Sequence, residues 1–532
     1  MKQYNFKRIR TTLSICSLLL LASCIGDFEN FNTHPTNPAP DDMTAPERVG
    51  TLFPSLLYLM HNYQENDNQM IEQMIGNQYG GYMATTNNWQ GTNYGTFNPS
   101  AGWMEYPFNK LFSGFYANYF KIKDITGGKG YIYAWANIVR VGVMLRVTDT
   151  YGPVPYSKMG EGQLAVVYDD MQTVYHNMIQ DLDNSIASLT AFLGENQGKA
   201  NPMAEFDLIY RGNFSKWIKF ANSLKLRMAI RIAAVDTDYA KEVMVQAIAG
   251  GTIESNVDNA FLPTTDNPYY KAAIDWGDLA INAVLSTYMN GYADPRCPVY
   301  MTKTGVGTYI GVRMGINNIN KQIYSMSALF SKPNFTTGSP LLVFCAAETQ
   351  FLKAEAALQG WIAGGEAQAG AYYLKGINTS MEQHEVTAGA YTTTVTYPGA
   401  YSDPISGITV GISNISVPWN DVDAAANTRL AKIITQKWLA NYPLGFESWC
   451  DFRRTGYPQI FSAQDNLSTD GSMGTIDNSI FSATTYNSRL VRRLPYPVSE
   501  YNGNPVNVAN AVSTMLGGPD KGSTNLWWAK KQ

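Results

Sequence analysis

The chain has 532 residues, with 39 basic and 43 acidic side chains, a formal charge of −4, and 34 tyrosines within a 13% aromatic share. That length is ample for a large core, and a mildly acidic composition excludes nucleic acid as a partner, which requires clustered Lys and Arg. Five Cys and four His are scattered through the chain, with no pair at metal-ligand spacing, so no disulfide framework, metal site or cofactor is expected.

The first residues carry Lys2, Lys7, Arg8 and Arg10 without an acid, followed by the apolar run TTLSICSLLLLA. Twelve residues are too few to span a bilayer as a helix, which takes ~20. A charged start, a short apolar middle and small residues before a cut form an export signal. Leu21-Ala22-Ser23-Cys24 resembles the lipobox of bacterial lipoproteins, so residues 1–23 are expected to be removed and Cys24 acylated. The alternative is an ordinary signal peptide with an incidental Cys24. Each acyl CH₂ contributes ~0.8 kcal/mol of membrane affinity, and two or more chains make a stable anchor. Loss of residues 1–23 leaves 35 basic against 43 acidic residues, a formal charge of about −8. Residues 24–48, including NTHPTNPAPDD, have little to bury and read as a tether or strap. No later stretch is long and apolar enough to cross a membrane.

Helical periodicity marks five segments beyond the strap. Ala134, Ile138, Val141 and Leu145 form the first stripe, and Met171, Val174, Met178, Leu182, Ile186 and Leu189 the second. Trp217, Phe220, Leu224 and Met228 form the third; Phe344, Ala347, Phe351, Ala354 and Leu358 the fourth; Leu430, Ile434 and Trp438 begin the fifth. Asp169 or Asp170, and Asn213 or Ser215, are candidate N-caps, while Gly152-Pro153 and Gly360 mark ends. Between the helices lie long polar stretches, 76–106, 250–343 and 385–427, in which TYIGVRM and HEVTAGAYTTTVTYP have the composition of short strands. Loops above ~15 residues are functional or disordered, and the Trp and Tyr content of these favours ordered, functional loops. No linker divides residues 49–532, which read as one mainly α domain with large inserted loops. The helix pairs have the size of degenerate tetratricopeptide-like units, although no strict repeat of ~34 residues appears.

The chain contains no P-loop, HExxH, CxxC or GxSxG motif. Gly305-Val306-Gly307-Thr308-Tyr309-Ile310-Gly311 imitates a dinucleotide fingerprint, but its third glycine is one residue late and no strand-turn-helix unit surrounds it. No local motif pairs two acids as glycoside hydrolysis requires, so no catalytic residue is expected. LGFESWCDFRRTGYP gathers Glu447, Asp451, Arg453 and Arg454 among Phe446, Trp449 and Phe452. Such a cluster serves either as a binding site or as a buried ion network at a helix end, and the second reading is favoured.

Five stretches together resemble the SusD/RagB-like family, surface glycan-binding lipoproteins of certain Gram-negative gut and oral bacteria. They are the lipobox with DFENFNTHPTNP, YAWANIVRVGVMLRVTDTYGPVPYS, AETQFLKAEAALQGW, IITQKWLANYPLGFESWCDFRRTGYP and VRRLPYPVSEYNGNPVNV. They span nearly the whole chain and look like the second, SusD-like branch. The resemblance implies a fold of tetratricopeptide-like helix pairs, a lipid anchor in the outer membrane facing the cell surface, and no enzymatic activity. It also implies a SusC-like TonB-dependent β-barrel as partner, to which captured oligosaccharide, or in some members peptide, is passed.

Sugar rings offer apolar C–H faces flanked by hydroxyls, which Tyr and Trp rings and Asn or Asp side chains match. The Gly-rich stretch NQYGGYMATTNNWQGTNYGTFNPSAGW supplies Tyr82, Asn88, Trp89 and Tyr94 as candidate ligand contacts. In the family a loop after the first helix often supplies a stacking aromatic, and Trp89 matches it by position. A second stretch, TTDNPYYKAAIDWGD, supplies Asn267, Tyr269 and Trp276. Trp527-Trp528 is expected either to be exposed or to dock on the scaffold or barrel. A peptide ligand, or a surface glycoside hydrolase with acids unpaired in sequence, are the alternative functions.

Overall fold

In the computed structural model the described residues are 45–423, 426–482 and 486–530. Cys24 and residues 24–44 of the expected tether lie outside them. The chain divides into two compact units, residues 1–51 and 52–532. Of the first unit, the described part is the helix Ala45–Gly50, followed by Thr51, whose N–H reaches the Glu47 carbonyl at 3.4 Å. Residues 45–48, read above as strap, are therefore helical: Pro46 fixes a helical φ where no N–H is needed, and Glu47 suits the positive helix start.

Among the described residues, the second unit is built on nine long helices: α1 (Gly114–Thr126), α2 (Gly130–Tyr151), α3 (Met171–Glu195), α4 (Phe214–Ile232), α5 (Thr237–Ala249), α6 (Ala346–Leu358), α7 (Gly365–Gln383), α8 (Arg429–Ala440) and α9 (Gly445–Thr455). Four of the five apolar stripes fall on α2, α3, α4 and α8, and the remaining one on α6, with Phe344 just ahead in a strand. The caps are resolved. Asp170 accepts the Thr173 N–H at 2.9 Å and Asn213 the Lys216 N–H at 3.2 Å. Asp169 instead holds the Tyr156 and Ser157 N–H groups at 3.0 and 2.7 Å.

Successive helices pack as neighbours from α1 to α5; α6 pairs with α7, α8 lies on both, and α4 touches α6. The links 127–129, 233–236 and 359–364 are short, which makes each pair antiparallel. The result is a tetratricopeptide-like scaffold of helix pairs. Gly376 of α7 lies so close to Phe351 of α6 that a Cβ there would stand 2.8 Å from the ring.

Among the described residues, three two-stranded antiparallel ladders decorate this scaffold: β1 (Met83–Thr85) with β3 (Leu279–Ile281), β2 (Ala260–Leu262) with β4 (Leu341–Phe344), and β5 (Tyr401–Ser402) with β6 (Thr409–Val410). TYIGVRM and residues 384–398 form no ladder, against the strand reading. The first runs beside Asn282, making one isolated bridge at Val312. The second closes on itself in turns, with the Val386, Tyr391 and Thr394 N–H groups bonded to the carbonyls of Met381, Ala388 and Ala390. Gly311 owes its identity to this packing, since a Cβ would lie 2.4 Å from the Asn282 carbonyl oxygen.

A buried ion network crosses the helices. Arg227 of α4 forks onto Glu348 of α6 with two bonds of 2.7 Å and reaches Glu447 of α9 at 3.4 Å. Arg231, one turn on, pairs with both Glu447 and Asp149 of α2. Asp149 also accepts from the Tyr175 hydroxyl at 2.5 Å and the Trp528 indole at 2.9 Å. Lys437 of α8 meets Asp451 at 2.9 Å, and Arg454 pairs with Glu355 and Asp451. Burial alone would push the Glu447 carboxyl up, but Arg227, Arg231 and Lys437 outweigh it and hold it below its ordinary range. The cluster in LGFESWCDFRRTGYP is thus an internal clamp, as its composition suggested. Trp528 is buried within it, while Trp527 is half-buried edge-on to Tyr175.

Candidate functional site

The β1–β3 ladder brings the two aromatic stretches together. Its register is Met83↔Ile281, Ala84↔Ala280 and Thr85↔Leu279, so the chain leaves β1 directly beside the segment entering β3. Beyond the ladder, Thr86 donates its N–H to the Asp278 carbonyl at 3.0 Å and its hydroxyl to the Gly277 carbonyl at 2.6 Å. Asn87 then donates to the Asp278 carboxylate at 2.9 Å, and its own carbonyl oxygen accepts the Trp89 N–H at 3.2 Å. Asp278 is further held by Lys321 at 2.5 Å and Gln69 at 3.2 Å. A single carboxylate therefore anchors the turn that carries Trp89 and follows Trp276 by two residues.

Trp89 and Gln90 both adopt left-handed backbone, at φ +47° and +57°. For residues with a Cβ this conformation costs of order 1–3 kcal/mol each and gathers at functional sites. The Trp89 ring stands edge-on to Trp103 at 5.9 Å, and Trp103 stacks on Tyr94 at 6.0 Å. Among the described residues, the Trp89 indole N–H and the Tyr94 hydroxyl are both buried without a partner, a condition that in native proteins calls for a specific explanation. Beside the ladder, burial pushes the Lys332 ammonium down to about 8, its Nζ donating to the Leu279 carbonyl of β3 at 3.1 Å.

Among the expected contacts, Trp89, Asn88 and Trp276 are half-buried on these two segments. The other four belong to the interior, which revises the expectation that they meet a ligand. Tyr82 is stacked on Trp438 and its hydroxyl donates to the Trp438 carbonyl at 2.5 Å. Tyr94 is fully buried beneath Trp103. The Tyr269 hydroxyl sits between His61 Nε2 at 2.9 Å and Asn77 at 3.1 Å. Asn267 caps the short turn at Pro268, accepting the Tyr269 N–H at 2.9 Å, and is fully buried. A Gly-rich, polar stretch suggests exposure, yet these rings fill the second layer under the loops. Asp278 and Lys321, which join the segments, were not singled out; the signal was present only as the acid following Trp276-Gly277.

Helix pairs carrying long ordered loops define a loop-presenting scaffold with an aromatic surface site. The comparisons place it more narrowly. Residues 30–529 match the SusD-like family model, described as Susd and RagB outer membrane lipoprotein. The chain belongs to the SusD-like family. A SusD-like protein from Bacteroides thetaiotaomicron is similar at 37% identity, with 91% of this chain and 99% of that one covered and a TM-score of 0.81. A SusD homologue from Bacteroides ovatus shares 36% identity over 91% and 99% of the two chains, with a TM-score of 0.80. A chitin-binding SusD homologue from Flavobacterium johnsoniae shares 33% over 91% and 99%, with a TM-score of 0.82. No curated protein matches the sequence. The family model describes outer membrane lipoproteins, and among the described residues no helix is long and apolar enough to cross a membrane.

Proposed function

We propose that the protein is a cell-surface, non-catalytic glycan-binding lipoprotein, held in the outer membrane by acylated Cys24. It captures oligosaccharide with Trp89, Asn88 and Trp276 and passes it to a SusC-like TonB-dependent β-barrel. The observation that carries this reading is the pinning of two half-buried Trp-bearing segments by one carboxylate, Asp278, on a helical scaffold. Membership of the SusD-like family supports the class of ligand and the type of partner. A stacking contact of this kind is worth ~1–3 kcal/mol, by analogy with bases on aromatic rings. Two such rings bind weakly, and dense tethering raises the effective concentration without new contacts.

Affinity electrophoresis of residues 25–532 against host, plant and microbial polysaccharides tests it. Chitin fragments come first on that panel because of the chitin-binding neighbour. Retardation by one glycan, lost in Trp89→Ala, is the expected result. Retardation by none moves the ligand to peptide, and new reducing ends that vanish with one carboxylate substitution would replace binding by hydrolysis. For the location, protease shaving of intact cells should degrade the protein, and Cys24→Ala should release it from the membrane fraction.

A further inference from the structure

Trp89 combines two features that do not ordinarily go together. Its side chain is half-buried, yet its one polar atom, Nε1, is sealed from solvent and has no acceptor among the described residues. A buried indole N–H normally finds a hydrogen-bond partner, and a half-buried ring on a surface loop can turn that edge to water instead. An N–H turned inward must therefore face something that replaces the acceptor.

The ring beside it is Trp103, in the first turn of the helix Ala101–Phe108, where the Ser100 hydroxyl caps the helix by accepting the Trp103 N–H at 3.4 Å. One face of Trp103 lies along Tyr94, with 22° between the planes and 6.0 Å between centroids. Tyr94 is a firm base. It is fully buried, its carbonyl accepts the Tyr79 hydroxyl at 3.0 Å, and Tyr79 stands edge-on to its ring at 6.2 Å. Trp89 meets Trp103 at 83° and 5.9 Å, within the ~4.5–7 Å range of edge-to-face pairs. In such a pair the edge of one ring meets the face of the other. Aromatic faces are negative and edges positive, and on an indole the N–H is the most positive part of the edge. The N–H edge is also the one that Trp89 hides from water.

We infer that Trp103 is a positioning residue of the ligand site: the face it turns away from Tyr94 receives the Trp89 indole N–H as an N–H···π contact and holds the Trp89 ring upright. The contact accounts for the missing acceptor, and it fixes what Trp89 offers a ligand. With its N–H turned inward, Trp89 gives a sugar a face to stack on and no hydrogen-bond donor. Recognition of hydroxyls then falls to side-chain amides such as that of Asn88. This role deepens the glycan-capture reading of the same site, yet its main test needs no ligand.

Proton–nitrogen NMR of the indole groups, on residues 25–532 labelled with nitrogen-15 tryptophan, tests it; Trp89→Phe identifies the Trp89 signal by its loss. A proton held over a ring face is shielded, so the Trp89 indole proton should lie upfield of the other indole protons and exchange slowly with deuterium. Trp103→Leu removes the face, and the signal should move downfield and exchange at least tenfold faster. Trp103→Phe restores a face and should bring the upfield signal back, both variants being checked by thermal melting. A Trp89 signal that is not upfield in the wild type, or that Trp103→Leu leaves in place, would overturn the contact. Affinity electrophoresis with a polysaccharide that retards the wild type adds the functional readout: retardation should fall at least threefold in Trp103→Leu and recover in Trp103→Phe. Undiminished retardation in Trp103→Leu would overturn the positioning role. If no polysaccharide retards the wild type, glycan capture fails while the indole shift still decides the contact, so the two readings fall separately.

Discussion

Glu447→Gln tests whether the internal clamp holds the helix pairs together. Glu447 touches Arg231 and, at 3.4 Å, Arg227, all three being buried. Removing one partner of a buried ion pair costs ~3–5 kcal/mol, because the remaining charge is stranded. Here each arginine keeps another carboxylate, Asp149 for Arg231 and Glu348 for Arg227. The loss should therefore fall at the low end, ~3 kcal/mol at pH 7. Arg231→Met takes the nearest cation from two buried carboxylates at once and should cost more, ~5 kcal/mol. Urea unfolding followed by Trp fluorescence reads both.

The pH dependence separates a charge effect from lost packing. The folded Glu447 carboxyl lies below its ordinary 4.5. Its stabilisation is therefore complete above the unfolded value and is lost as pH falls through the folded one. The gap between wild type and Glu447→Gln should hold from pH 7 to about 5 and narrow below 4.5. A gap under ~1 kcal/mol at pH 7, the level of an exposed pair, would refute the clamp. So would a gap that stays constant to the acid limit of folding.

Asp170→Ala removes the cap of α3 and should lower stability by ~1 kcal/mol in urea unfolding, whereas Asp170→Asn should cost a fraction of that. Gly445→Ala drives a Cβ to 2.2 Å from the Gly76 backbone, where neither chain can yield as a side chain would; a loss of ~3 kcal/mol or an insoluble product is expected. Lys332→Met should stabilise. Burial holds the ammonium near 8 against an ordinary 10.5, a penalty of up to ~3 kcal/mol at pH 7, offset by the lost bond to Leu279, ~1 kcal/mol. The penalty applies below pH 8 and fades toward 10.5, so the advantage of Lys332→Met, measured by urea titration, should shrink above pH 8.

The helices were legible because burial against one neighbour imposes a 3.6-residue period, which Trp217, Phe220, Leu224 and Met228 display within α4. The interior polar chemistry was not, because its partners are remote. Arg231 is 216 residues from Glu447, and no spacing rule connects them. The loop rings illustrate the same limit. Tyr82 and Trp89 lie seven residues apart in one Gly-rich run, yet Tyr82 is sealed against Trp438 of α8 while Trp89 remains half-buried.

VTDTYGPVPY and GFESWCDFRRTGYP, parts of two of the five stretches that carry the family resemblance, prove to be one structural feature. Asp149 from the first takes Arg231 on its carboxylate, and its backbone carbonyl accepts from Arg453 of the second at 2.6 Å. Arg453 also lies over the Trp449 ring at 3.7 Å. α9, so fixed, packs on the π-type helix Gln69–Asn77, where Gly445 and Gly76 meet backbone to backbone. That helix supplies Gln69 to Asp278, and Asp278 holds the turn bearing Trp89. The charges of these two stretches thus do not touch the turn that carries Trp89. They set the position of the helix from which that surface is hung, so substitutions in the clamp should perturb stability first and binding only through the Gln69–Asp278 contact.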